Sequence, residues 1–176
     1  MEGNEIVPFF FSLMDSETLL GTVESMLQSI LAAEPEYFLV EARIKPTNNI
    51  KIFLDGDNGI TIEKCVRFNR ALYKKIEELN LFPLGDFSLE LSSPGLDEPL
   101  KLNRQYKKNV GRPVEILLQD GSKKEGRLLE VMEDGIIVEE SVGKKPLRGA
   151  LAKKIETINH TFLFNNIKST KIQVVF

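Results

Sequence analysis

Histidine and cysteine occur once each in this 176-residue chain, and no apolar run is long enough to cross a bilayer. Cys65 cannot form an internal disulfide, and on the apolar side of a predicted helix it reads as a buried thiol rather than a reactive one. A membrane-spanning helix needs about 18 or more apolar residues. The leader Pro8-Phe9-Phe10-Phe11-Ser12-Leu13-Met14 is shorter, and it follows Glu2 and Glu5 instead of the basic start of a secretory signal. A cytoplasmic chain with no membrane partner is expected. His160 shares a strand face with Ile158 and Phe162, the placing of a packed residue rather than a general base. Ser92 and Ser93 lack the flanking glycines of a nucleophile elbow, and Walker loops, dinucleotide fingerprints and zinc clusters are missing. Asp55-Gly56-Asp57-Asn58-Gly59 alternates oxygen ligands, but a calcium loop counted from Asp55 needs glycine at Ile60 and glutamate at Val66. These absences point to a binding protein without catalytic residues, metal or cofactor.

Hydrophobic residues make up 42% of the chain and charged ones 28%, enough to bury a core. The net charge of −3 is unevenly spread. Residues 1–98 hold 8 Lys/Arg and 17 Asp/Glu, and residues 99–176 hold 15 and 9. Halves of opposite sign suit different partners, phosphate for the basic one and a basic protein for the acidic one.

Leu19, Leu20, Val23, Met26, Leu27, Ile30 and Leu31 recur at helical spacing, with Asp15 or Ser16 as cap and Pro35 beyond the end. Strands at Tyr37–Lys45 and Ile50–Leu54 flank the turn Pro46-Thr47-Asn48-Asn49 and form a hairpin. Thr61 caps a second helix, whose apolar face is read as Ile62, Cys65, Val66, Asn69, Leu72, Tyr73, Ile76 and Leu79. A third strand follows, with Phe87, Leu89 and Leu91 alternating with Ser88, Glu90 and Ser92. Helix, strand, strand, helix, strand makes a two-layer α/β domain over residues 1–95, including the leader 1–14.

Ser93-Pro94-Gly95 then stops the strand, proline lacking the ladder donor and glycine supplying the positive φ of a type II turn, while Leu96 and Leu100 are free to pack back on either side. Residues 96–112 form a junction with a short helix capped by Asn103. From 113 to 176 the pattern is strands: Pro113–Leu118, Lys124–Met132, Ile136–Glu140, Ile155–Phe164 and Thr170–Phe176, with Asn165-Asn166-Ile167-Lys168 as a turn and a basic loop over 142–154. Five short strands with a single turn before the last suggest a small SH3-like or Sm-like β-barrel, making the whole chain α+β.

No exposed aromatic and basic pattern of a base-reading sheet is present, so RNA contact would be to phosphate. Candidates are Lys101, Arg104, Lys107, Lys108 and Arg112 after the junction, Lys123, Lys124 and Arg127 in the hairpin, and Lys144, Lys145, Arg148, Lys153 and Lys154 in the loop. Asp55, Asp57, Glu90 and Asp97 are the carboxylates nearest the strand ends and junction, and are candidates to meet a basic protein.

The run Ser92-Ser93-Pro94-Gly95-Leu96-Asp97 with Pro99-Leu100, between an alternating strand and a polar helix carrying Tyr106, resembles the signature of the RimP family. Phe53-Leu54-Asp55 with Gly59-Ile60, and the closing Asn166-Ile167-Lys168, are similar to the same family; Glu98 stands where the family usually has a basic residue. The resemblance implies a non-catalytic ribosome maturation factor, with an α/β domain and a C-terminal barrel. It would bind the immature 30S small ribosomal subunit and touch 16S rRNA and the basic ribosomal protein of the decoding centre; separately, a monomer is expected. A translation or RNA-metabolism adaptor, whose barrel binds a peptide or RNA and whose first domain dimerises, is the alternative.

Overall fold

A computed structural model describes residues 15–143 and 156–174. The apolar leader, most of the basic loop and the last two residues lie outside them. The chain divides into two compact units, Met1–Pro94 and Gly95–Phe176, each with its own apolar core. It is a mixed α+β protein, and among the described residues no helix is long and apolar enough to cross a membrane.

In the first unit, helix α1 (Ser16–Leu31) starts where Asp15 accepts a hydrogen bond from the Thr18 N–H at 2.7 Å. Strand β1 (Tyr37–Lys45) turns through Pro46–Asn48 into antiparallel β2 (Asn49–Gly56), Thr47 and Asn48 taking positive φ at the bend. Helix α2 (Ile62–Glu78), capped by Thr61, then carries the chain back so that β3 (Ser88–Ser92) lies parallel to β2. Sheet order is β1-β2-β3, so β3 is an edge. Ile50, Ile52 and Leu54 of β2, fully buried, meet Val23, Leu27 and Leu31 of α1 and Phe68, Leu72 and Ile76 of α2. The opposite face of the sheet is polar, with Arg43 paired to Glu41 at 2.5 Å and Lys51 to Glu90 at 3.3 Å.

The buried face of α2 differs from the expected one. Cys65, Phe68, Leu72 and Ile76 are inside, whereas Ile62 is 80% exposed and Val66, Tyr73 and Leu79 also face outward. Burial of Phe68 in the core sets this rotation, and on the other flank Lys64 and Arg67 both reach Glu34 in the loop after α1.

The second unit opens with helix α3 (Asn103–Lys108) and continues through β4 (Pro113–Leu118), β5 (Lys123–Val131), β6 (Gly135–Val142), β7 (Glu156–Leu163) and β8 (Ile167–Ile172). These strands form one antiparallel sheet in the order β7-β6-β5-β4-β8. Among the described residues no ladder joins β7 to β8, so the expected closed barrel is not seen as such. Strand β8 begins three residues earlier than its sequence suggests. Phe164–Asn166 is a 3-10 turn, and Ile167 and Thr170 are buried, because the strand is pulled in along β4. Asn103 is not the cap of α3 either. Gln105, almost fully buried, folds back to accept from the Lys101 and Leu102 N–H groups at 2.8 and 3.0 Å, while Asn103 donates to the Met132 carbonyl. Tyr106 on the same turn enters the core against Phe164.

Gly95 departs from expectation too. It lies outside the positive-φ glycines, and a side chain there would meet no atom within 4 Å. The bend is made by Leu96 and Asp97, with the Gly95 carbonyl accepting from the Glu98 N–H at 3.0 Å, so glycine's special freedom is not used. Gly95→Ala should therefore shift stability by no more than about 0.5 kcal/mol in a urea titration. A loss well beyond that would restore the left-handed turn.

Candidate functional site

The signature residues are divided between the two units. Ser92 ends β3, and Ser93 and Pro94 continue extended. Burial pushes the Cys65 thiol up, opposed in part by backbone hydrogen bonds at Cys65 and Ser93, so the thiol stays protonated as expected. In the second unit the Leu100 N–H donates to the Thr170 carbonyl at 2.8 Å, and its side chain packs on the core with Pro99 half-buried beside it. Leu96, expected to pack back, is 56% exposed, since the turn points it away from that core.

The basic candidates fall into three sets. Lys101, Arg104, Lys107, Lys108 and Arg112 lie on and around α3, a stretch in which Pro99 to Val114 contains no acidic residue. Lys107 and Arg112 are exposed, the latter donating to Asn109 at 3.1 Å. The second set is balanced by acids. Lys123 pairs with Glu115 at 3.3 Å and Arg127 with Glu139 at 2.7 Å, along a shallow polar groove of about 710 Å³ that Lys124, Glu125 and Glu140 also line. Lys144, Lys145, Arg148, Lys153 and Lys154 lie outside the described residues. Around α3 the local sequence is basic throughout, whereas in the β4–β5–β6 groove cations and acids alternate.

The acidic candidates do not converge. Asp55 is only 7% exposed, and its Oδ1 accepts from the Gly56 N–H at 2.8 Å. The tight turn at the end of β2 draws it inward, so it cannot be the surface contact the sequence suggested. Asp57 is exposed at the same strand end, Glu90 lies across the sheet beside Lys51, and Asp97 belongs to the second unit. His160 is half-exposed on the edge strand β7 rather than packed, with Nε2 2.7 Å from Glu140 Oε2. It faces no nucleophile among the residues paired with it. The described residues hold no group of three or more potential metal ligands.

Several carboxylates are held below their ordinary range: Glu90 by Asn49 and then Lys51, Glu139 chiefly by Arg127, and Asp120 by Ser122. In each case the unfolded chain binds the proton more readily than the folded one, so the stabilisation is present above the ordinary carboxylate range and disappears as pH falls. Thermal melts should give a level Tm from neutrality to about pH 5 and a declining one below about pH 4. A Tm rising on acidification would contradict the pairings.

Comparison with known proteins agrees with this architecture. Residues 27–97 match the model of the RimP N-terminal domain. Ribosome maturation factor RimP of Cytophaga hutchinsonii is 40% identical over 119 residues, covering 66% of this chain and 71% of that protein. The protein of the same name from Flavobacterium psychrophilum is 34% identical over 154 residues, 88% of this chain and 96% of that one. That from Porphyromonas gingivalis is 34% identical over 156 residues, 89% and 96% of the two chains. With both units aligned to proteins of one name, and the signature at residues 92–100 in place, the chain belongs to the RimP family.

Proposed function

We propose that the chain is a maturation factor of the small ribosomal subunit, one that binds the immature 30S particle in the cytoplasm and acts by docking rather than by catalysis. The observation that carries this reading is the coincidence of charge with architecture. The first unit holds 8 Lys/Arg against 15 Asp/Glu and the second 15 against 11. A basic unit whose cations gather around α3 suits 16S rRNA phosphates, and an acidic unit suits the basic ribosomal protein of the decoding centre. Exposed Asp57, Glu90 and Asp97 remain the candidate carboxylates for the latter.

The strand order of the second sheet, with a 3-10 turn before β8, supports a small barrel of the SH3-like or Sm-like kind. So does Gly126, where a Cβ would lie 2.5 Å from the Glu139 carbonyl oxygen, the sign of a sharply coiled sheet. On this reading residues 1–95 are the α/β domain, 96–112 the junction and 113–176 the barrel with its loop 142–154. A factor without chemistry changes an assembly by binding the immature state better than the mature one, and leaves when folding removes its site.

Sedimentation of tagged protein through sucrose gradients tests the proposal. Co-migration with small-subunit precursors, and not with large subunits or polysomes, is expected. Co-migration with polysomes would favour a translation adaptor instead.

A further inference from the structure

The outward rotation of α2 leaves an apolar seam that the described residues cover only in part. Ile62, Val66 and Tyr73 are exposed and Asn69 is half-buried between them, at spacings of four, three and four along one line of the helix. This line runs beside the edge of β3. Asn69 donates from Nδ2 to the Leu89 carbonyl at 3.2 Å, and the Tyr73 ring stacks on Phe87, just before the strand, at 4.8 Å. The Leu89 carbonyl on this edge accepts from Asn69, and among the described residues no strand pairs with β3 on that side. The two edges of the sheet are unlike. Strand β1 carries a bulge after Leu39 together with Arg43 and Lys45, features that discourage pairing. Strand β3 is regular against β2 and has no bulge, proline or lysine.

The geometry points to a second copy of this chain as the occupant, with β3 paired antiparallel to its twin across a two-fold axis and the two α2 helices packed side by side. The dimensions fit. A helix lying over the β2–β3 pair would meet its symmetry mate at about 10 Å, because strands repeat at about 4.8 Å and helices pack at about 8–10 Å. The charges fit as well. Placing Leu91 on the axis sets Glu90 opposite Ser92 of the second copy rather than opposite its own twin. Leu91 lies between the level of Asn69, which bonds Leu89, and that of Cys65, which neighbours Ser93. Val66 therefore meets Val66, and Glu63 of each copy lies beside Arg70 of the other. The patch is acidic at one end and basic at the other, the arrangement a two-fold interface requires.

This inference rests on the first unit alone and is independent of the proposed function. In place of the monomer expected from the sequence, the free chain is a dimer when concentrated and a monomer on dilution. A five-residue strand and one helix flank fall short of the roughly 800 Å² per partner of a standard interface, so the association is weak.

Sedimentation equilibrium of the full chain over a wide concentration series tests it. The expected result is reversible dimerisation, weakened at least tenfold by Glu63→Lys, by Arg70→Glu and by Ile62→Glu. Because these three positions are exposed, circular dichroism should be unchanged in all of them. The charge variants give the sharper test. Glu63→Lys and Arg70→Glu proteins, each monomeric alone, should form a heterodimer when mixed, since every cross-axis pair then joins opposite charges. A chain that stays monomeric at millimolar concentration, or a dimer that neither charge change weakens, or single variants that fail to pair on mixing, would overturn it.

Discussion

Phe68→Ala should destabilise the first unit by about 3–5 kcal/mol, the range for truncating a buried aromatic side chain. Phe68 is 2% exposed and packs edge-on against Tyr37 at a ring separation of 5.5 Å, at the centre of a core shared by α1, α2 and β2. Its removal leaves a void between the helical layer and the sheet. The neighbouring Leu72, Ile76 and Leu27 are themselves fully buried and have little freedom to collapse into it. For a unit of this size each kcal/mol corresponds to about 4–8 °C in Tm, so its transition should fall by more than about 10 °C. The second core contains none of these side chains, so its slowest-exchanging amides should keep their protection. Val66→Ala on the same helix is the control, because Val66 is 43% exposed and its truncation should cost under about 0.5 kcal/mol. Equal losses at the two positions would mean that α2 is rotated to the face its apolar period alone suggests.

Gly126→Val should be the corresponding lesion in the second unit. A Cβ at Gly126 would stand 2.5 Å from the Glu139 carbonyl oxygen and 2.6 Å from Val138 Cγ1, distances that no side-chain rotation relieves, because the nearer atom is backbone. Strand β5 would have to move away from β6, disturbing the Arg127–Glu139 pair, which joins positions directly opposite in the ladder. Overpacking of this kind costs about 1–3 kcal/mol, and a β-branched residue at a backbone crossing belongs at the upper end. The contrast with Gly95→Ala is useful. Gly95 lies in the sequence signature and tolerates a side chain, whereas Gly126 has no motif around it and does not.

That contrast shows what was legible in the letters. Helix α1, the β1–β2 hairpin, the return to β3 and the five-strand second unit were all readable, because their apolar periods and turn residues agree with their tertiary surroundings. The Asp120-Gly121 turn between β4 and β5 was readable for the same reason, with Gly121 at φ 86° and Asp120 bonded to Ser122. The rotation of α2 was not. Its sequence offers two overlapping stripes, one through Phe68 and one through Val66 and Tyr73, and tertiary packing of Phe68 against Tyr37 and the sheet decides between them. The early start of β8 is hidden because the sequence places its single turn at Asn165–Lys168, whereas the 3-10 turn occupies Phe164–Asn166 and leaves Ile167 to open the strand.

Among the site residues, Asp55 is a candidate in the sequence because it stands at a strand end. Pairing of β2 with β1 as far as Gly56 buries it instead. The cations around α3 are legible from composition alone. What composition missed is that Lys123 and Arg127 are already matched by Glu115 and Glu139 from neighbouring strands, a pairing visible only once the register is known.

On the proposed function, the basic unit holds rRNA phosphates on an immature small subunit. The most direct test is equilibrium binding of the full chain to purified precursor and mature small subunits across a salt series. Wild type should prefer the precursor, and its affinity should fall steeply with salt. A variant with Lys107, Lys144, Lys145, Lys153 and Lys154 neutralised should bind more weakly at low salt and show a flatter slope, by about 0.7–0.9 for each phosphate that the variant leaves unneutralised. Equal affinity for precursor and mature particles, or an unchanged slope in the variant, would contradict the account.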